Sequence, residues 1–279
     1  NTTANDNTAV GYHALTANTT GIDNTALGTD ALQNNSTGNS NTGVGYRVFY
    51  GNTTGSSNNA VGTQALYSNS TGSDNTAMGH RALFLSTTAT GNAAFGYASL
   101  YNNTTGSYNT GLGYNALNDN TTAGHNTAVG YASMATNTTG QYNIALGKNS
   151  LTSNTTANNN VALGYESMAH NTTGADNTAT GYHALKTNTT GTRLAAVGKD
   201  ALGANTTGAS NTAVGSGALD ANTTADNNTA VGESSLGANT TGSANTAFGA
   251  RALLLNTTTA NNTAIGYASL RSNTTGINN

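Results

Sequence analysis

The chain has no cysteine, no proline and no tryptophan, and only 7% of its 279 residues are charged and 6% aromatic. Without cysteine there is no disulfide staple, no zinc–thiolate site and no thiol nucleophile, and the redox compartment is left open. Eight basic and eleven acidic side chains, for a net charge of -3, offer neither a basic patch for a phosphate backbone nor a polybasic membrane anchor, so nucleic acid is not an expected partner. No apolar run approaches the ~20 residues of a membrane span. The first residues also lack the basic start and apolar core of a signal peptide, and membrane insertion is not expected. What fills the chain instead is 45 Asn, 53 Thr and 35 Gly, 133 residues of 279. Ordinary globular domains carry about 25% charged residues and about 7% Gly. Such a composition argues against a conventional enzyme.

A repeat accounts for the bias. The segment from Asn7 to Gly11 returns as Asn24 to Gly28, Asn41 to Gly45 and finally Asn262 to Gly266, each start 17 residues after the last with no insertion. Self-similarity at a fixed period marks a repeat architecture and takes precedence over local assignments. Copies start at 7, 24, 41 and every 17 residues to 262, so residues 1–279 read as a single repeat array. Counting from each first Asn, position 5 is Gly in all sixteen copies: Gly11, Gly28, Gly45, Gly62, Gly79, Gly96, Gly113, Gly130 and on to Gly266. Position 9 is always large and apolar, as in Leu15, Phe49 and Met134. Position 4 is apolar except at Thr180, positions 3 and 8 are small, and position 14 is always Thr.

Thr, Val, Ile and Tyr favour strands while Gly and Asn punctuate them. Each period therefore reads as a strand over positions 2 to 9, then a short extended piece near 12 to 14. Helix is disfavoured, because no apolar stripe recurs at i, i+3, i+4 and i+7. The expected fold is all-β: a parallel β-solenoid, or β-roll, of about sixteen 17-residue coils stacked at ~4.8 Å, an elongated rod of roughly 75 to 80 Å. Position 5 must be Gly because each coil bends there or nearly touches the next, so these glycines are the structural turns. Positions 4 and 9 are expected to form apolar ladders inside, and Asn at positions 1 and 12 with Thr at position 14 to form hydrogen-bond ladders between coils. Two large apolar residues per coil bury little, so an isolated rod is expected to be marginal and to gain from assembly.

The run Ala9-Val10-Gly11-x-x-Ala14, repeated at Ala60-Val61-Gly62-x-x-Ala65 and Ala94-Phe95-Gly96-x-x-Ser99, resembles the core of head repeats in trimeric autotransporter adhesins. The longer NTAVGYxAL and NTTG unit is similar to repeats in tail-fibre-like and adhesin-like proteins of phages and bacteria. The resemblance implies a left-handed parallel β-roll, with three chains side by side in a stiff rod on a cell or virion surface.

Candidate chemistry is sparse. No catalytic, cofactor-binding or metal-binding residues are expected. The five His fall at four repeat positions, with His13 and His183 sharing a column ten coils apart, so they do not converge. Asp6, Asp23, Asp74 and Asp176 share position 17, a column that could offer oxygen ligands to calcium, but Arg193 and His125 interrupt it and a solvated edge is the better account. Glu166 and Glu233 are the only Glu, four coils apart, which does not suit glycoside hydrolysis. The sharpest site-like feature is position 12, where sixteen asparagines precede Thr by two residues. They are Asn1, Asn18, Asn35, Asn52, Asn69, Asn103, Asn120, Asn137, Asn154, Asn171, Asn188, Asn205, Asn222, Asn239, Asn256 and Asn273, with Ser86 as the exception. All are formal N-glycosylation acceptors. The competing and preferred account is that Asn-Thr-Thr-Gly is the turn and ladder chemistry of this corner. Tyr recurs at position 6, and Tyr50, Tyr67 and Tyr101 cluster with Phe84 at position 10, where a protein contact is the first expectation.

The expected function is structural: a segment of an extracellular fibre, filament or adhesin shaft, at a cell or virion surface, associating with its own copies laterally or end to end. The first and last copies match the middle ones, whereas solenoids normally carry atypical polar caps, so the array is expected to continue or to stack. A solenoid that binds ice or a glycan through Thr, Asn and Tyr ladders, or a cell-surface receptor, is the alternative. Against ice, Thr19 and Thr20 are adjacent and would point oppositely.

Overall fold

The computed structural model describes residues 3–279. They form two compact units, Asn1–Gln141 and Tyr142–Asn279. The first carries eight strands: β1 (Thr8–Val10), β2 (Thr25–Leu27), β3 (Thr42–Val44), β4 (Asn59–Val61), β5 (Thr76–Met78), β6 (Ala93–Phe95), β7 (Thr110–Leu112) and β8 (Thr127–Val129). The second carries β9 (Ile144–Leu146), β10 (Val161–Leu163), β11 (Thr178–Thr180), β12 (Ala195–Val197), β13 (Thr212–Val214), β14 (Thr229–Val231), β15 (Thr246–Phe248) and β16 (Thr263–Ile265). Within each unit the strands lie side by side in chain order, all parallel, and each residue pairs with the one 17 later, as Thr8 with Thr25 and Val161 with Thr178. No helix occurs among the described residues. The fold class is the expected one, a parallel β-solenoid of 17-residue coils.

The strand is shorter than the sequence pattern predicts. It covers only positions 2 to 4, and positions 6 to 11 form a tight turn. The reason lies in three left-handed residues at alternate places. Position 5 Gly has φ near +135°, and positions 7 and 9 have φ near +50 to +60°, as at Arg47 and Phe49. Hydrogen bonding between coils nevertheless runs through the turn: Asp30 N–H donates to Tyr12 C=O at 2.8 Å, Leu32 N–H to Val48 C=O at 2.9 Å, and Gly51 N–H to Tyr67 C=O at 2.8 Å. The period-2 bonding of a strand persists while its direction is lost. A left-handed non-Gly residue costs roughly 1–2 kcal/mol, and burying a Leu returns about 1.5–3 kcal/mol, so position 9 can be both strained and always large.

The curled path also changes the core. Position 4, expected inside, faces out: Leu27 is 46% and Phe248 56% exposed. In a three-residue strand the middle side chain points opposite to its neighbours, and here it is Ala at position 3 that is buried, from Ala26 to Ala247. Positions 8 and 9 complete the apolar interior. Packing is tight enough to show compensation. Gly43 stands where all other coils but that of Gly111 carry Ala, and a Cβ there would lie 2.9 Å from Val48 Cγ1, Val48 being the largest residue at position 8. Gly43→Ala is expected to cost about 1–3 kcal/mol by overpacking, and Val48→Ala in the same chain to restore most of it, as read by urea melts of the two single variants and the double.

The polar interior is the stronger element. Away from the chain ends the Asn at positions 1 and 12 is buried, from Asn24 to Asn262 and from Asn18 to Asn256. Asn52 Nδ2 donates to Asn35 Oδ1 at 2.7 Å and to the Gly55 carbonyl at 3.0 Å, and Asn69 Nδ2 donates to Asn52 Oδ1 at 2.8 Å. The second column meets the same carbonyl: Asn41 Nδ2 donates to Gly55 C=O at 2.8 Å, while Asn41 Oδ1 accepts from Asn58 N–H at 3.1 Å. The position-15 carbonyl thus ties both amide ladders together. The same pattern holds in the second unit, at Asn188, Asn205 and Asn177. The Thr ladder falls one residue earlier than expected. Thr53 and Thr104 at position 13 donate to the next coil's position-13 carbonyl at 3.0 Å, whereas Thr at position 14 is exposed, because neighbouring residues of an extended segment point apart.

Candidate functional site

The turn glycines sit where expected. Gly11, Gly28, Gly45, Gly62, Gly79, Gly96, Gly113 and Gly130 have φ between +129° and +141°. A Cβ at Gly28 would lie 2.4 Å from the carbonyl oxygen of Gly45 in the next coil.

The glycosylation acceptors are interior. Every one from Asn18 to Asn256 is buried, and Asn273 is half-buried; Asn1 lies outside the described residues. In the regular coils one Nδ2 hydrogen goes to the previous amide oxygen and the other to the position-15 carbonyl, as at Asn120, with Asn103 Oδ1 at 2.8 Å and Ala123 C=O at 3.0 Å. An N-linked glycan would have to replace one of these bonds and find a path to solvent. The geometry favours the turn-and-ladder account of the motif. Asp6, Asp23, Asp74 and Asp176 lie on an exposed edge at positive φ, which Asp tolerates. Among the described residues no three His, Asp or Glu gather to hold a metal.

Stacking at 17-residue intervals brings together side chains that look scattered in the sequence. In the second unit position 7 carries Glu166, His183 and Asp200 in successive coils. Lys186 Nζ lies 2.7 Å and His183 Nε2 3.2 Å from Glu166 Oε2, and His183 Nδ1 lies 3.5 Å from Asp200 Oδ1. Hydrogen bonds from Lys186 and then Tyr165 hold the Glu166 carboxyl down at about 2 instead of 4.5. General acid–base catalysis asks for a group that titrates near the working pH, and Glu166 is far from that. Beside it lies an open hollow of about 290 Å³ bordered by Asn149, Ser153, His170 and Lys186. Sequence reading by residue type missed this cluster, and reading down the 17-residue column at position 7 would have found it.

The chain matches no family model, no curated protein and no solved structure. Its site must be read from its own geometry. Because the folded-state value of Glu166 is depressed, its ion pair adds stability fully above about pH 4.5, and that share is lost as pH falls toward 2. Acid titration of the melting temperature is expected to show a decline in this window that is smaller in Glu166→Gln.

In the first unit two long aromatic columns run along the turn, beside a shorter stack of Tyr108 on His125 at position 17. At position 10 Tyr50, Tyr67, Phe84 and Tyr101 stack at 5.1 to 5.2 Å with rings 5 to 14° from parallel. At position 6 His80, Tyr97, Tyr114 and Tyr131 stack at 5.0 to 5.3 Å. Arg47 and Arg81, at position 7 between the columns, lie over Tyr50 and Phe84. Arg47 is also paired with Asp30 at 3.2 Å, which in turn lies 3.5 Å from His13.

The remaining surface feature is the outer face of the strands. In each unit it presents position 2, mostly Thr, beside the apolar column at position 4: Val10, Leu27, Val61, Met78 and Leu112 in the first, Leu146, Val197, Val214, Phe248 and Ile265 in the second.

Proposed function

We propose that the chain is a structural element, a shaft segment of an extracellular fibre or adhesin that associates side by side with further copies of itself, and that it performs no catalysis. The observation that carries this reading is the exposed apolar column at position 4. A row of Val, Leu, Met, Phe and Ile, one in every coil but that of Thr180, repeated along a parallel sheet, is the kind of apolar surface that marks an interaction site. A second copy carries the same row at the same coil spacing. The uniform coils and the hydrogen-bonded amide ladders suit a load-bearing shaft, and the likeness to adhesin head repeats agrees with it. Display outside a cell or on a virion surface follows from the same reading. The ice-binding alternative is weakened by the same face, since Thr at position 2 is paired with apolar groups of unequal size and not with a second regular row of hydroxyls.

Sedimentation velocity of the whole chain tests the proposal. Side-by-side oligomers are expected at micromolar concentration, and Leu27→Lys with Leu112→Lys should return monomers with unchanged far-UV circular dichroism. A wild-type chain that stays monomeric would overturn the self-association.

A further inference from the structure

The aromatic column at position 10 stops at Tyr101. In the next coil the position is Asn118, so one face of the Tyr101 ring has no ring stacked on it, while its other face meets Phe84 at 5.1 Å. A hollow of about 340 Å³ opens at this place, bordered by Tyr101 and Asn118, by Tyr97 and Tyr114 of the other column, and by Arg81. Its volume is at the low end of the ~300–1,000 Å³ typical of ligand pockets. Position 7 beside the hollow carries short side chains, Ala98 and then Asn115, after the long Arg81 of the preceding coil.

We propose that this hollow binds an acidic saccharide, with one sugar ring taking the next place in the stack on Tyr101 and a carboxylate meeting Arg81. Four features select that chemistry. Tyr101, which borders the hollow, offers an aromatic surface to a flat apolar one such as the CH face of a pyranose. The lining is rich in polar side chains, with Tyr97, Tyr114, Asn102, Asn115 and Asn118 around it and the Asn118 amide held by the Ala98 carbonyl at 3.0 Å, which suits a ligand with many hydroxyls more than a bare aromatic acid. Asn115 Oδ1 is buried with no hydrogen-bond partner, a state that costs about 1–3 kcal/mol, and Asn115 borders the hollow, where a ligand hydroxyl would supply the missing donor. Arg81 donates from Nε to Gln64 Oε1 at 3.0 Å and has no carboxylate within ion-pair distance among the described residues, unlike Arg47. A single cation of this kind suits one carboxylate and not the phosphate ladder of a nucleic acid. The site stands apart from the self-association proposed above, since it uses the turn and not the outer strand face.

Titration of the full chain with trigalacturonate, followed by calorimetry, tests the proposal, with maltotriose and benzoate as comparison ligands. Trigalacturonate is expected to bind. Arg81→Gln should reduce its affinity to that of maltotriose, Tyr101→Ala should weaken it about tenfold or more, Tyr101→Phe should retain it, and Tyr108→Ala at a distant column should leave it unchanged. No binding at millimolar saccharide, binding of benzoate in preference to the saccharide, or an affinity indifferent to Tyr101→Ala in a variant of unchanged circular dichroism would each overturn it.

Discussion

Gly113→Ala is expected to be among the most damaging single substitutions in the chain, costing at least about 3 kcal/mol. Two effects combine. With φ at +140° the residue occupies a region that L side chains rarely enter. The added Cβ would also stand 2.4 Å from the carbonyl oxygen of Gly130 and 2.7 Å from its carbon. Both are backbone atoms of the next coil, so no flexible side chain can move aside. A fall in the urea midpoint, together with loss of amide protection in the coils around Gly113, is the expected observation; an unchanged midpoint would refute the assignment. Gly106→Ala provides the contrast. A Cβ there meets the Ala123 carbonyl oxygen and the Asn103 amide just as closely, yet position 15 is Ala at Ala89 and Ala123, both buried. The chain has therefore already accommodated a methyl group at that column, where φ is not left-handed, and Gly106→Ala is expected to cost far less.

Ser86→Asn is expected to stabilise the protein and Asn120→Ala to destabilise it, for one reason. Ser86 interrupts the position-12 ladder, and the interruption leaves both the Ser86 hydroxyl and the Asn69 amide oxygen buried without partners. An Asn at 86 supplies the missing donor to Asn69 and an acceptor to Asn103, worth about 1–2 kcal/mol when the relief of a buried orphan acceptor is counted. Asn120→Ala does the reverse. It removes the 2.8 Å bond to Asn103 Oδ1 and the 2.9 Å bond from Asn137 Nδ2, leaving polar atoms of two neighbouring coils unpaired in an interior closed to water. The expected loss is about 2–4 kcal/mol. Melts of the two variants that moved in the same direction would contradict the ladder as the source of stability.

Much of this fold is legible in the sequence because the same physical demand is written many times. A clash between coils at position 5 recurs up the stack, so Gly is kept in every copy from Gly11 to Gly266; an amide ladder needs an amide in each coil, so Asn recurs at positions 1 and 12. What the repeat does not show is direction. Leu27 and Leu32 look equally suited to a core, but the left-handed residues at positions 7 and 9 curl the chain so that Ala26, Ala31 and Leu32 share the interior and Leu27 faces out. Strand propensity carries no information about such a curl, and a left-handed Leu runs against residue preference. The variable positions behave differently again. Glu166, His183 and Asp200, or Tyr97 and Tyr114, have no motif spacing, and become neighbours only when the 17-residue period is used as a spatial coordinate.

The central claim is that each 17-residue period is one coil stacked in register on the next, and the native absence of cysteine allows a clean test. Thr54, Thr71 and Thr88 are exposed at position 14 of three successive coils. In-register neighbours lie ~4.8 Å apart, within the ~4.4–6.8 Å that a disulfide bridges between Cα atoms, whereas residues two coils apart lie at ~9.6 Å by the same spacing. Oxidation of the chain carrying Thr54→Cys with Thr71→Cys should give an intramolecular disulfide, detected by mass spectrometry of the digested monomer, and Thr54→Cys with Thr88→Cys should not. Cross-linking of the second pair in preference to the first would contradict the stack.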